Sequence, residues 1–95
     1  MSQNALEHII ARYWHSSGVI GVGKFSSSVS AHKLKRMISE ASSLGKYSPN
    51  TRNRPGTVVI HSFPTPIGTT GAGHLTNTMK MVISPDFTLK TAYPY

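Results

Sequence analysis

Apolar and polar residues alternate most regularly over residues 78–93. Met79, Met81 and Ile83 alternate with Thr78, Lys80 and Val82, and then Phe87, Leu89, Thr91 and Tyr93 with Thr88, Lys90 and Ala92. A period of two belongs to β-strands, whose side chains point to opposite faces in turn. Ser84-Pro85-Asp86 between the two runs predicts a reversal, because proline presets φ at the second position of a turn and has no N–H to give to a sheet. The runs are therefore expected to form a hairpin, with Thr91 and Tyr93 on one face about 7 Å apart. Two hydroxyls held side by side on a strand can hydrogen-bond the oxygens of a phosphate.

Helical periods come earlier. Residues 4–15 carry Leu6, Ile9, Ile10 and Tyr13 on one stripe, opened by a capping-box pattern of Asn4 with Glu7 and followed by Gly18. A second helix is capped by Ser30, carries Leu34, Met37, Ile38, Ala41 and Leu44, and stops at Gly45. Between the helices, 19–25 reads as a strand whose glycines suggest a bulge or a close backbone approach. Residues 46–55, rich in Ser, Pro, Asn and Arg, read as a loop, and 57–63 as another strand before Pro64-Thr65-Pro66 and a Gly/Thr loop. This order predicts an α+β domain with its helices packed on one face of a single small antiparallel sheet.

Charge narrows the partner. Ten Lys and Arg against three acidic residues give a formal net charge of +7 in a chain of 95 residues, which points to a polyanion, since each neutralised phosphate releases condensed counterions. Three carboxylates far apart in sequence argue against a two-metal nuclease, and no metal or cofactor is expected. The absence of cysteine excludes disulfides, a thiolate nucleophile and cysteine-based zinc sites. No apolar run reaches the about eighteen residues of a membrane span, and the first residues lack a signal-peptide pattern.

RNA cleavage without metal needs a base for the 2′-hydroxyl proton, an acid for the departing 5′-oxygen, and cationic or hydrogen-bonding groups on the phosphate. His8, Arg12 and His15, spaced i, i+4 and i+7, would share one helical stripe. Lys24 is the one charge of the first predicted strand. Lys33 and Arg36, with His32 and Lys35, form either a solvated face or a phosphate-steering patch, and Arg52 and Arg54 lie at the far end of the 46–55 loop. Other chemistries fit worse. A Ser-His-Asp triad would have to use Asp86 in a turn, and His8 with His15 lacks the i, i+4 spacing of a helical zinc pair. The 68–73 loop matches neither a Walker loop nor a dinucleotide fingerprint, and His74-Leu-Thr76 is a lone copy of an element that two-histidine phosphoesterases carry twice.

His8-Ile-Ile-Ala-Arg12, Lys24-Phe25, Pro66-Ile67-Gly68, Thr76, Lys80 and the terminal Thr91-Ala92-Tyr93-Pro94 occur in that order over most of the chain. Together they resemble the C-terminal toxin domains of bacterial polymorphic and contact-dependent growth-inhibition systems. Those domains include ribonucleases of the barnase/EndoU/colicin/RelE superfamily and, second in likeness here, a bacterial group similar to pancreatic ribonuclease. The resemblance implies a metal-independent endoribonuclease, often cutting tRNA, that is delivered as part of a larger secreted or cell-surface effector into the cytoplasm of a target bacterium and neutralised by a cognate immunity protein. It implies a site of His8, Arg12, Thr91 and Tyr93, joined by Lys24 and by His15, because Tyr13 stands where relatives often have histidine. Lys33, Arg36, Arg52, Arg54, His74 and Lys80 are the expected RNA contacts, and the free domain is expected to be a monomer. EndoU enzymes place two histidines in a central Gly-rich region, a role for which His61 and His74 are the candidates. A non-catalytic basic RNA-binding protein, such as a ribosomal component, would share the charge without needing the site.

Overall fold

Residues 3–50 and 54–95, which the computed structural model describes, form two helices and seven strands in the order α1 (Gln3–Tyr13), β1 (Lys24–Phe25), α2 (Ala31–Leu44), β2 (Lys46–Pro49), β3 (Thr57–Ser62), β4 (Gly68–Thr69), β5 (Leu75–Thr76), β6 (Thr78–Ile83) and β7 (Leu89–Pro94). The domain is α+β, with two antiparallel sheets where one was expected. The larger has the strand order β2-β3-β6-β7 and the smaller β1-β4-β5.

α2 follows its sequence pattern closely. The Ser30 hydroxyl accepts from the Lys33 amide at 3.1 Å, a cap worth about 0.5–2 kcal/mol, and the Gly45 N–H closes the other end on the Ala41 carbonyl. Leu34, Met37, Ile38 and Ala41 are buried, whereas Leu44 is exposed. α1 departs further. It begins at Gln3, so Asn4 lies inside the first turn and not at a cap, and it ends at Tyr13, short of His15. The Ser17 hydroxyl then bonds the Ala11 carbonyl across the exit from the helix. Leu6, Ile9 and Tyr13 are buried, but Ile10 is exposed and Ala5 takes the inward place.

The strand expected over 19–25 shrinks to Lys24–Phe25. Gly21 adopts φ +75°, in the left-handed region, and a residue there turns the chain out of a pleat. The loop expected over 46–55 instead opens with β2, which pairs with β3 from Lys46↔Ile60 to Pro49↔Thr57. All four β2 residues are exposed, as suits an edge strand ending in proline. The 68–76 segment is a small hairpin and not an irregular loop, with β4 and β5 pairing at Gly68↔Thr76 and Thr69↔Leu75.

β6 and β7 form the expected hairpin, but Phe87, expected in the last strand, lies in the turn with its ring exposed, and β7 begins at Leu89. The Phe87 amide bonds the Ser84 carbonyl, Ser84 and Thr88 close the loop, and Phe87 takes φ +67°. A bulge between Val82 and Ile83 shifts the register before Ile83↔Leu89. Met79 and Met81 are fully buried with Val59 and Ala92 in one core shared with both helices, each large apolar side chain contributing about 1.5–3 kcal/mol by its burial. α2 packs against β3, and α1 against β7, an edge strand.

Candidate functional site

Residues opposite one another in a ladder project to the same sheet face. Val59, Met81 and Ala92 make one such row, buried in the core. His61, opposite Met79, shares that face, where its Nε2 lies 2.8 Å from Glu40 of α2. Thr91 and Tyr93 belong to the other face. There Tyr93 stands opposite Lys80, Lys80 opposite Ile60, and Ile60 opposite Lys46. A row with two ammonium groups and a phenol thus crosses all four strands, beside the row that holds Thr91.

α1 brings its chemistry to this face by running along β7. His8 Nε2 lies 3.1 Å from Thr91 Oγ1, joining residues 83 apart in the chain. The bond can run either way, from an Nε2–H to the hydroxyl oxygen or from the hydroxyl to a neutral Nε2. Thr91 is 9% exposed, while His8 itself is exposed. Tyr13 meets the His8 ring edge-on at 5.9 Å between centroids and lies against Tyr93 at 5.0 Å. The Arg12 guanidinium sits 5.8 Å from the Tyr13 ring. Lys80 closes the group from the sheet, its ammonium 5.0 Å from the ring centre of Tyr95. His8 is thus joined to Thr91 and, through the Tyr13 ring, to Tyr93, with Arg12 beside Tyr13 and Lys80 opposite Tyr93 in the ladder; groups of these kinds can exchange a proton and hold an anion.

The remaining expected residues divide. Lys24 is held by the loop after α1, its ammonium donating to the Ser17 carbonyl at 2.5 Å. His15 lies past the end of α1, so it leaves the stripe of His8 and Arg12; its ring sits 5.7 Å from Trp14, which in turn faces Phe25. Lys33 and Arg36 line a cavity of about 750 Å³ between α2 and the Phe63–Ile67 segment, apart from the His8 group. Arg54 is exposed just before β3, and Arg52 lies outside the described residues. His74 is exposed at the β4–β5 turn, where its backbone bonds Thr70. With His61 engaged by Glu40 on the α2 side, His61 and His74 share no contact with the His8 group among those described. Among the described residues, no three His, Asp or Glu side chains stand close enough to hold a metal ion, and no helix is long and apolar enough to cross a membrane.

Sequence reasoning passed over three residues here. Tyr13 counted as core and as a departure from a histidine, Lys46 as loop, and Tyr95 had no role, although it continues the two-residue period of Thr91 and Tyr93. No protein-family model matches the chain, and no curated protein or solved structure matches it either.

Proposed function

We propose that this domain is a metal-independent endoribonuclease of the kind used as a toxin between bacteria, with tRNA as its substrate class. The observation that carries this reading is the His8–Thr91 hydrogen bond, which sets a titratable imidazole on a strand hydroxyl beside Arg12, Tyr93 and Lys80. In the mechanism, neutral His8 takes the proton of a 2′-hydroxyl, O2′ attacks the phosphorus, and the bond to the 5′-oxygen breaks, leaving a 2′,3′-cyclic phosphate. The departing oxygen takes its proton from water, since His15, the next imidazole in the chain, sits against Trp14 away from the His8 stripe. Arg12 and Lys80 offset the charge that builds on the phosphate, while Thr91 and Tyr93 orient it by hydrogen bonds. None of these steps calls on a divalent ion.

The arrangement of a helix beside an antiparallel sheet whose exposed face carries the polar group is what supports assignment to the barnase/EndoU/colicin/RelE superfamily. An acidic immunity protein would mask the same face, since opposite charge speeds association and covers the RNA path. The test is incubation of the purified domain with tRNA in EDTA, with mapping of the RNA ends and His8→Ala as control. Cleavage to cyclic phosphate ends that is lost in His8→Ala is expected. Cleavage that requires magnesium would overturn the mechanism, and RNA binding without any cleavage would favour the non-catalytic RNA-binding protein.

A further inference from the structure

A cleft of about 460 Å³ lies beside the His8 group, lined by Tyr93 and by Tyr13, whose ring meets His8 edge-on, and its volume falls within the about 300–1,000 Å³ range of small-molecule sites. Residues 21–23 and the β4–β5 turn at 70–72 line it side by side, a Cβ on Gly71 meeting the Gly21 carbonyl oxygen at 2.8 Å. A Cβ on Gly23 would stand 2.2 Å from the Pro94 carbonyl oxygen, so backbone packing also holds 21–23 directly on the end of β7. Tyr13, Tyr93 and Tyr95 bring three aromatic rings to the same lining. Tyr95 is anchored through its backbone, by its amide to the Thr78 carbonyl and its carbonyl to the Thr76 hydroxyl, yet it remains 54% exposed. Lys80, over the Tyr95 ring, sets a cation at the rim.

We propose that this cleft receives one nucleobase of single-stranded RNA, stacked on Tyr95 and Tyr93, with its phosphate drawn towards Lys80 and the His8–Thr91 pair. A flat heteroaromatic ring suits a cleft lined by three tyrosines, because every base has a π-face to stack. The charge of the chain favours a polyanion, and Tyr93 belongs to both the cleft and the polar group, so one nucleotide can span them. The Gly-rich 68–76 segment, which matches no phosphate-binding motif, thereby gains a role as a wall for the base. The proposal rests on the ribonuclease reading only for the direction of the phosphate.

The experiment titrates the four 3′-nucleoside monophosphates, and inorganic phosphate as control, into the isotope-labelled domain and follows amide shifts by NMR. At least one nucleotide is expected to move the Gly21, Gly23 and Ala72 signals in a way that phosphate does not. Loss of a stacked ring weakens binding by roughly 5- to 150-fold, so Tyr95→Ala should raise the dissociation constant by that factor and Tyr95→Phe should leave it nearly unchanged. Ala72→Trp, at an exposed position, should block the cleft and abolish those shifts. Nucleotides that move only the signals moved by phosphate, or that bind Tyr95→Ala as tightly as the wild type, would overturn the proposal. Cleavage is scored separately: base-dependent shifts without any cutting of RNA would keep the cleft and remove the ribonuclease, while cutting without such shifts would do the reverse.

Discussion

If the His8–Thr91 bond positions the imidazole for proton transfer, removing either partner should harm catalysis through one shared event. Thr91→Val keeps the shape of the side chain and deletes its hydroxyl. The lost bond costs about 0.5–1.5 kcal/mol of stability, and because His8 is exposed, water can serve its freed nitrogen. The fold should therefore survive, with a modestly lowered melting temperature. His8→Ala removes the proton-transfer group and should slow cleavage by about 10²- to 10⁴-fold. Groups that act as a unit are not additive, so the double variant should cleave no more slowly than His8→Ala alone. The assay is single-turnover cleavage of tRNA by the four proteins, with circular dichroism melts as the check on folding. Multiplied effects in the double variant would separate Thr91 from His8, and wild-type rates in His8→Ala would place the chemistry elsewhere.

Other expectations follow from single features. Tyr93→Phe keeps the ring against Tyr13 but loses the phenol, so cleavage should fall strongly while the melting temperature hardly moves. Arg36→Ala, on the exposed face of α2, should weaken RNA binding slightly, by an amount that shrinks as salt rises in a filter-binding assay. Phe87 holds φ +67° with its ring 89% exposed; a left-handed non-glycine residue costs about 1–2 kcal/mol, so Phe87→Gly should raise stability in a urea melt by up to about 1 kcal/mol. The Asp86 carboxyl is held below its ordinary value, first by the Thr88 hydroxyl and then by the Thr88 amide. A depressed carboxyl pKa stabilises the ionised form, so the turn should keep this support at neutral pH and lose it as pH falls through the lowered value, visible as an acid-dependent shift of the Thr88 amide in NMR.

What was legible in the sequence is what repeats. α2 and β6 carry several periods of apolar residues and bury them as the pattern requires, whereas in the last strand Phe87 stays in the turn with its ring exposed and Ala92 is the residue that enters the core. β1, β4 and β5 have two residues each, too few for a period, and exist because their backbones find one another. β2 is exposed along its length and so has no apolar alternation to announce it. His15 was placed on a stripe that needs a longer helix than α1 supplies. His8, Arg12, Thr91 and Tyr93 could each be singled out beforehand, but which of them touch is a long-range matter. Their meeting depends on α1 lying along β7, and neither element states that alone. Tyr95 lay within reach of the same two-residue reading that picked out Tyr93.

The 83-residue separation of His8 and Thr91 also sets when the polar group can exist. Closing so long a loop is entropically costly, although the cost rises only slowly with length, and no local nucleus can supply it early. α1 also brings Leu6, Ile9 and Tyr13 into the shared core, so the polar group is complete only when that helix has docked. Local opening of α1 from β7 would disperse the group without melting the sheet, at a free energy below that of global unfolding. Amide exchange in α1 that is faster than exchange at Met79 and Met81 would reveal this open form. The fraction of time that α1 stays docked then sets a ceiling on whatever His8 and Thr91 do together.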